Sequence, residues 1–194
     1  MLGVILCGGK STRMNSDKGM LTSSGNKWVK VAADKVSNLN IPLVVSVNIT
    51  QHNDYSSLFV SSQLITDNET LKIKGPLCGV LSVHLQYPLE DLLVLACDMP
   101  LMDTIILNEL LNIYKEHSSA DAFVFTNDGE VEPLCGIYTA KGLAYILKLY
   151  REDKLIKHSM KFMIEHINSF TIPITEEQKK YFKNINTHAE LNGL

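Results

Sequence analysis

Two adjacent glycines, Gly8 and Gly9, follow the apolar run Leu2 to Leu6, and three cations, Lys10, Arg13 and Lys18, come soon after them. Those residue types in that order suit a phosphate group. Glycine lets the backbone turn sharply and approach a ligand closely, and successive N–H groups in such a turn can point together at an anion. A carboxylate to complement them stands far along the chain. Asp98 lies in Ala96-Cys97-Asp98-Met99-Pro100, straight after the apolar run Leu92 to Leu95. In open α/β sheets ligands sit beyond the carboxyl ends of the strands, so an aspartate there is placed to hold Mg²⁺, a hard cation that takes oxygen ligands and substrate phosphates. Pro100 keeps the strand from continuing. The competing role for Asp98, capping the next helix, falls more naturally on Asp103, just before Ile105 and Ile106.

Gly9-Lys10-Ser11 invites comparison with the P-loop, and the spacing excludes it. G-x-x-x-x-G-K-[ST] needs a glycine five positions before Gly9, where Val4 stands. A D-x-x-G switch and an N-K-x-D guanine reader are also missing, since Asn26-Lys27 runs on into Trp28-Val29. The dinucleotide pattern G-x-G-x-x-G is absent as well. A GTP-hydrolysing switch is therefore disfavoured.

The stretch instead resembles L-x-G-G-x-S-x-R-M-x-x-D-K, the opening signature of MobA-type nucleotidyltransferases, matched by Leu6, Gly8, Gly9, Ser11, Arg13, Met14, Asp17 and Lys18. Further segments follow in the family's order. Val47-Asn48 resembles its V-N, and Thr66-Asp67 resembles the aspartate after the third strand. Gly75-Pro76-Leu77-Cys78-Gly79 resembles its G-P-L-A-G, Asp98 its metal-binding aspartate, and Asn184-Ile185-Asn186-Thr187 its N-[VI]-N-[TS]. Asn and Asp are common at strand ends and helix caps for structural reasons alone; the order and spacing of the set carry the likeness.

The resemblance implies a three-layer Rossmann-like nucleotidyltransferase fold, α/β with a mostly parallel central sheet, as one domain over residues 1–194. It implies transfer of GMP from GTP to the phosphate of Mo-molybdopterin, with Mg²⁺ on Asp98 and release of pyrophosphate. Arg13, Lys18 and Asp98 would be catalytic. Leu6, Cys7, Gly8, Gly9, Lys18, Asn48, Asp67, Gly79, Asp98, Asn184 and Asn186 would bind nucleotide and metal. Lys10 occupies a variable place. Glu132 to Tyr138 falls on the acceptor side in related transferases, against the plainer reading of a core strand bulged at Gly136. Cytidine-using relatives carry L-A-A-G where this chain has Leu6-Cys7-Gly8-Gly9, and Gly8 leaves room that favours guanine. A cytidylyltransferase, a sugar-phosphate nucleotidyltransferase and a non-catalytic nucleotide-binding regulator are the rivals. Cys7 and Cys78 replace common alanines, Asn15 stands where Gly is usual, and Trp28 where Pro is; none removes a proposed catalytic group.

The rest of the chain must position these groups. Its 194 residues carry a net charge of −3, which argues against a nucleic-acid surface or a polybasic membrane patch. No apolar run has transmembrane length, and the first is too short for a signal peptide, so the expected place is the cytoplasm, in contact at most with molybdopterin-delivery proteins or apo-molybdoenzymes. Cys7, Cys78, Cys97 and Cys135 form no C-x-x-C and read as small buried residues. The six histidines show no ligand spacing. Strand and helix signals alternate. Strands are expected at Leu2–Leu6, Leu43–Val47, Ser62–Thr66, Asp91–Ala96, Ala122–Thr126, Leu134–Tyr138 and Phe170–Ile174. Helices are expected at Trp28–Val36, Gly79–Tyr87, Asp103–Glu116, Gly142–Tyr150, Ser159–His166 and Thr175–Phe182, with a last turn over Thr187–Leu191.

Overall fold

Period-two alternation along the buried strands divides the interior into two cores. A computed structural model of the chain describes residues 1–8, 17–23, 25–117 and 119–184. In β1 (Leu2–Leu6) Ile5 faces one side of the sheet, while Leu2, Val4 and Leu6 face the other. The hairpin β2 (Thr22–Ser23) and β3 (Asn26–Lys27) then leads into α1 (Trp28–Ser37), whose Val29, Ala32, Ala33 and Val36 recur at helical spacing and cover the Ile5 side. Next come β4 (Leu43–Val47), the short α2 (His52–Tyr55) and β5 (Leu64–Thr66). Helix α3 (Pro76–Gln86) covers the second side. In β6 (Leu92–Ala96) every residue is buried, with Leu93 and Leu95 in the first core and Leu92 and Val94 in the second. Each such leucine taken from water contributes roughly 1.5–3 kcal/mol, which is why a continuous apolar run becomes the central strand.

Helix α4 (Thr104–Glu116) joins α1 on the first side, with Asp103 accepting from Ile105 N at 2.8 Å as its cap. After β7 (Ala122–Asn127) and β8 (Glu130–Tyr138), α5 (Ala140–Arg151) and α6 (Met160–Ile164) join α3 on the second side, and β9 (Ser169–Pro173) closes the sheet. The seven-stranded order is β5-β4-β1-β6-β8-β7-β9. All its pairings are parallel except those of β8, which runs against β6 and β7. The carboxyl ends of the other strands therefore share one edge, and β8 begins at that edge with Glu130.

The β7–β8 turn is Asp128-Gly129, both left-handed at φ 51° and 85°, as a two-residue hairpin turn of the primed type requires. Register with β7 then jumps from Val124↔Gly136 to Phe125↔Glu132, so Pro133, Leu134 and Cys135 bulge from that ladder beside Gly136 rather than at it, while Cys135 keeps its pairing with Leu95 of β6.

Several boundaries differ from those expected. Helix α3 starts at Pro76, three residues before Gly79, because Pro suits the first helical turn and Gly75 supplies φ +76° at the cap. Strand β8 starts at Glu130 instead of Leu134, extended by its pairing with β7. Thr175–Phe182 holds only a 3-10 turn at Lys179–Phe182. Helix α2 and the β2–β3 hairpin had no expectation at all. The turn expected over Thr187–Leu191 lies outside the described residues.

Candidate active site

Lys18 and Asp98 meet across the carboxyl edge of the sheet. Lys18 Nζ donates to Asp98 Oδ2 at 2.8 Å, with both side chains about one-fifth exposed. Asp98 follows the buried β6, and its turn is fixed from behind by Lys35 of α1, whose ammonium bonds the Pro100 carbonyl. Burial holds the Lys35 ammonium below its ordinary pKa, with Asp103 pulling the other way. Lys18 is positioned by its neighbour. The Asp17 carboxylate accepts from Gly19 N (3.0 Å), Gln51 Nε2 (2.7 Å) and Tyr55 Oη (3.0 Å).

The second oxygen of Asp98, Oδ1, is buried with no hydrogen-bond partner among the described residues, and the same holds for Asn184 Oδ1. A buried polar atom without a partner costs about 1–3 kcal/mol, a cost that a bound cation or water would offset. A hard divalent cation is bound through one or two carboxylates plus phosphates and water, and the donor set fits that demand. No cluster of three His, Cys, Asp or Glu occurs among the described residues. Phe182, two residues before Asn184, packs its ring with that of Phe125 in β7, the centroids 4.9 Å apart. Gly9, Arg13 and Asn186 lie outside the described residues.

A second part of the site is a small hollow lined by Leu6, Gly8, Ser46, Asp67, Gly75, Pro76 and Gly79. Asp67 leaves β5 with its N–H bonded to the Val47 carbonyl at 2.9 Å, and Ser82 of α3 accepts from Asn68 N at 2.8 Å. The aspartate is thus fixed by strand and helix together. Burial pushes the Asp67 carboxyl up to about 6, tempered by the Ser46 hydroxyl. Asp67 Oδ1 has no partner among the described residues. Glycine makes the space. A Cβ on Gly79 would meet Ser46 Oγ at 2.5 Å and Leu6 Cδ2 at 3.1 Å, and one on Gly8 would stand 3.6 Å from Asp67 Oδ2. The resemblance placed Leu6, Gly8, Asp67 and Gly79 around the nucleotide, and the fold brings those four to one hollow.

Asn48 does structural work whatever it binds. Its Oδ1 accepts from Thr50 N, Thr50 Oγ1 and Gln51 N, while Gln51 Oε1 accepts from Asn48 N at 3.0 Å. This is the reciprocal form of a capping box. Sequence reasoning passed over Gln51, Tyr55 and Ser46. The Asn48-x-x-Gln51 spacing was the available signal for the first; nothing local marks the other two, whose partners are distant in the chain.

Cys7 is buried, its N–H bonded to the Ser46 carbonyl and its carbonyl to Gln51. Cys78, Cys97 and Cys135 are also buried, and all four are free thiols, as expected of small core residues. His84 is buried within α3. Glu132 and Leu134, near the start of β8, lie at the carboxyl edge of the sheet, and burial raises the Glu132 carboxyl, with Asn127 and Lys161 opposing.

The largely parallel sheet thus carries a glycine-lined hollow, two carboxylates and a lysine at its carboxyl edge, on an α/β fold of the nucleotidyltransferase kind. Residues 3–168 match the model of the MobA-like NTP transferase domain, and the chain belongs to that family. A "probable molybdenum cofactor guanylyltransferase" of Flavobacterium johnsoniae is 30% identical over 98% of this chain and 94% of its own. One of the same name from Methanocaldococcus jannaschii is 28% identical over 97% and 95%. Among solved structures, molybdopterin-guanine dinucleotide biosynthesis protein A of Archaeoglobus fulgidus superposes with a TM-score of 0.80 at 22% identity, covering 100% of this chain and 96% of that one. The 4-diphosphocytidyl-2C-methyl-D-erythritol synthase of Anaerococcus prevotii shares the fold, with a TM-score of 0.66 at 11% identity over 99% and 92%. The chain is an enzyme of the nucleotidyltransferase class.

Proposed function

We propose that this enzyme, acting as one domain, transfers GMP from GTP to the phosphate of Mo-molybdopterin and releases pyrophosphate. The observation that carries the choice of base is the buried Asp67 oxygen, without a partner among the described residues, in the hollow between Gly8 and Gly79. An ionised carboxylate only accepts hydrogen bonds. The guanine edge presents a ring N–H and an exocyclic amine side by side, whereas cytosine presents a single amine beside acceptors. The names of the full-length relatives support the same reading.

In this reading an oxygen of the acceptor phosphate attacks the α-phosphorus. A new P–O bond forms as the bond to the β-phosphate oxygen breaks. The acceptor supplies the nucleophile, so no protein nucleophile is required, and the chain's task is positioning and charge neutralisation. Asp98, with Asn184 and Asn186, would hold Mg²⁺, which supplies charge neutralisation on the phosphates when bound. Lys18 and Arg13 stabilise the departing pyrophosphate, the Gly8-Gly9 backbone receives phosphate, and Asn48 and Asp67 hold the guanosine. The enzyme would work in the cytoplasm and meet delivery proteins or apo-molybdoenzymes only transiently. The test is pyrophosphate release from GTP or CTP with molybdopterin, with and without Mg²⁺. Mg²⁺-dependent release from GTP in strong preference to CTP is expected; preference for CTP, or no release, would reject the proposal.

A further inference from the structure

One buried amide joins three segments of the site. Gln51 is 8% exposed. Its Nε2 donates to the Cys7 carbonyl at 2.9 Å and to Asp17 Oδ2 at 2.7 Å, and its Oε1 accepts from Asn48 N at 3.0 Å. Both amide hydrogens and the carbonyl are therefore engaged, by the exit of β1, the residue before Lys18 and the exit of β4. Four positions on, Tyr55 is fully buried and donates to Asp17 Oδ1 at 3.0 Å. Gly19 shows how close this packing is, because a Cβ there would collide with the Tyr55 hydroxyl. The capping box needs only the two bonds between Gln51 and Asn48. The bonds to Cys7 and Asp17 serve no purpose within the turn that Asn48 caps.

We infer that Gln51 and Tyr55 are positioning residues for nucleotidyl transfer. By holding the Asp17 carboxylate, they set the backbone from which Lys18 reaches the triphosphate. The inference rests on the proposed role of Lys18 at the pyrophosphate end of GTP. Neither side chain touches substrate in this scheme; each acts through Asp17. The chemistry of the amide is specific. In Gln51→Glu, which keeps the shape, a carboxylate oxygen would face two acceptors where the amide donated, and Asp17 would be pushed away.

Calorimetric binding of GTP and of GMP, each with Mg²⁺, separates positioning from general loosening. GMP lacks the β- and γ-phosphates that Lys18 would serve. Gln51→Glu is expected to weaken GTP binding about tenfold while leaving GMP within about twofold, as is Lys18→Ala, with the double variant no weaker than the worse single one. Tyr55→Phe removes one donor and should weaken GTP alone by roughly threefold. Thermal melts confirm folding; should Gln51→Glu fail to fold, Tyr55→Phe with Lys18→Ala forms the same cycle. GTP binding by the folded variants equal to wild type, equal losses for GTP and GMP, or losses that multiply with Lys18→Ala would each overturn the inference alone. A wild-type chain that binds neither nucleotide would overturn the proposed function and this inference together.

Discussion

Two aspartates at the same edge of the sheet are unlike in what surrounds them, and their chemistry diverges accordingly. Asp98 has one oxygen on Lys18 and the other buried without a partner among the described residues. Replacing it by Asn keeps the shape and removes the charge that would hold the cation. Asp98→Asn is expected to lower Mg²⁺-dependent pyrophosphate release about a thousandfold, measured at saturating GTP; turnover near wild type would remove Asp98 from the metal role. Asp67 carries no such cation partner in the described structure, and burial raises it to about 6 from an ordinary 3.8. The folded chain thus binds this proton more tightly than the unfolded chain. Its contribution to stability is full below about pH 3.8 and is lost as pH rises through about 6. In the proposed role, guanine donors would need the ionised form, so the two demands oppose each other. KM for GTP should rise as pH falls through 6. Asp67→Asn should flatten that dependence, weaken GTP use and raise the nucleotide-free melting temperature at pH 7.5. A lower melting temperature for that variant would contradict the burial argument.

At the scale of elements, the site is made where strands end and helices begin. Gly75 at φ +76° turns β5's exit into α3 and sets Gly79 against Ser46 and Leu6. On the far side, β8 reverses against its neighbours, so the bulged Pro133 and Leu134 leave the β7 ladder on the half of β8 nearer the carboxyl edge, while Cys135 stays paired with Leu95 of β6. That bulge depends on close strand contact at Gly136, where a Cβ would lie 2.9 Å from the Phe123 carbonyl and 2.9 Å from Val124 Cγ1. Gly136→Ala should therefore destabilise the protein by about 1–3 kcal/mol, read as a lower denaturation midpoint with unchanged m-value. The strands of apolar runs, such as Leu2–Leu6 and Leu92–Ala96, were legible from composition alone, and so was the Asp103 cap. Helix α2 was not, because four residues in His52–Tyr55 show no period; its existence depends on Asn48, Gln51 and the burial of Tyr55 against the first core.

For the whole molecule, the expected behaviour is stabilisation by its own substrate. A ligand at a hundred times its dissociation constant adds about 2.7 kcal/mol if it binds only the native state. For a chain of 194 residues that corresponds to a rise of roughly 5–10 °C in melting temperature. GTP with Mg²⁺ should produce it, and CTP at equal concentration should produce markedly less. Equal shifts would take the base preference away from Asp67 and Gly8. Among the described residues no helix is long and apolar enough to cross a membrane, and helices cover both faces of the sheet.

Sequence alone determined the class of fold and the identity of the strand-end groups. Buried parallel strands need unbroken apolar runs, and backbone that approaches phosphate needs glycine; both are local demands that show in the order of residues. It also singled out Asp98 and Lys18, though they stand far apart in the chain. Only the tertiary structure decided that their charges meet at 2.8 Å, that burial pushes the Asp67 carboxyl up to about 6, and that Gln51 ties Cys7, Asp17 and Asn48 together. Those properties belong to distances between remote residues and to the water excluded around them, and no spacing along the chain encodes either.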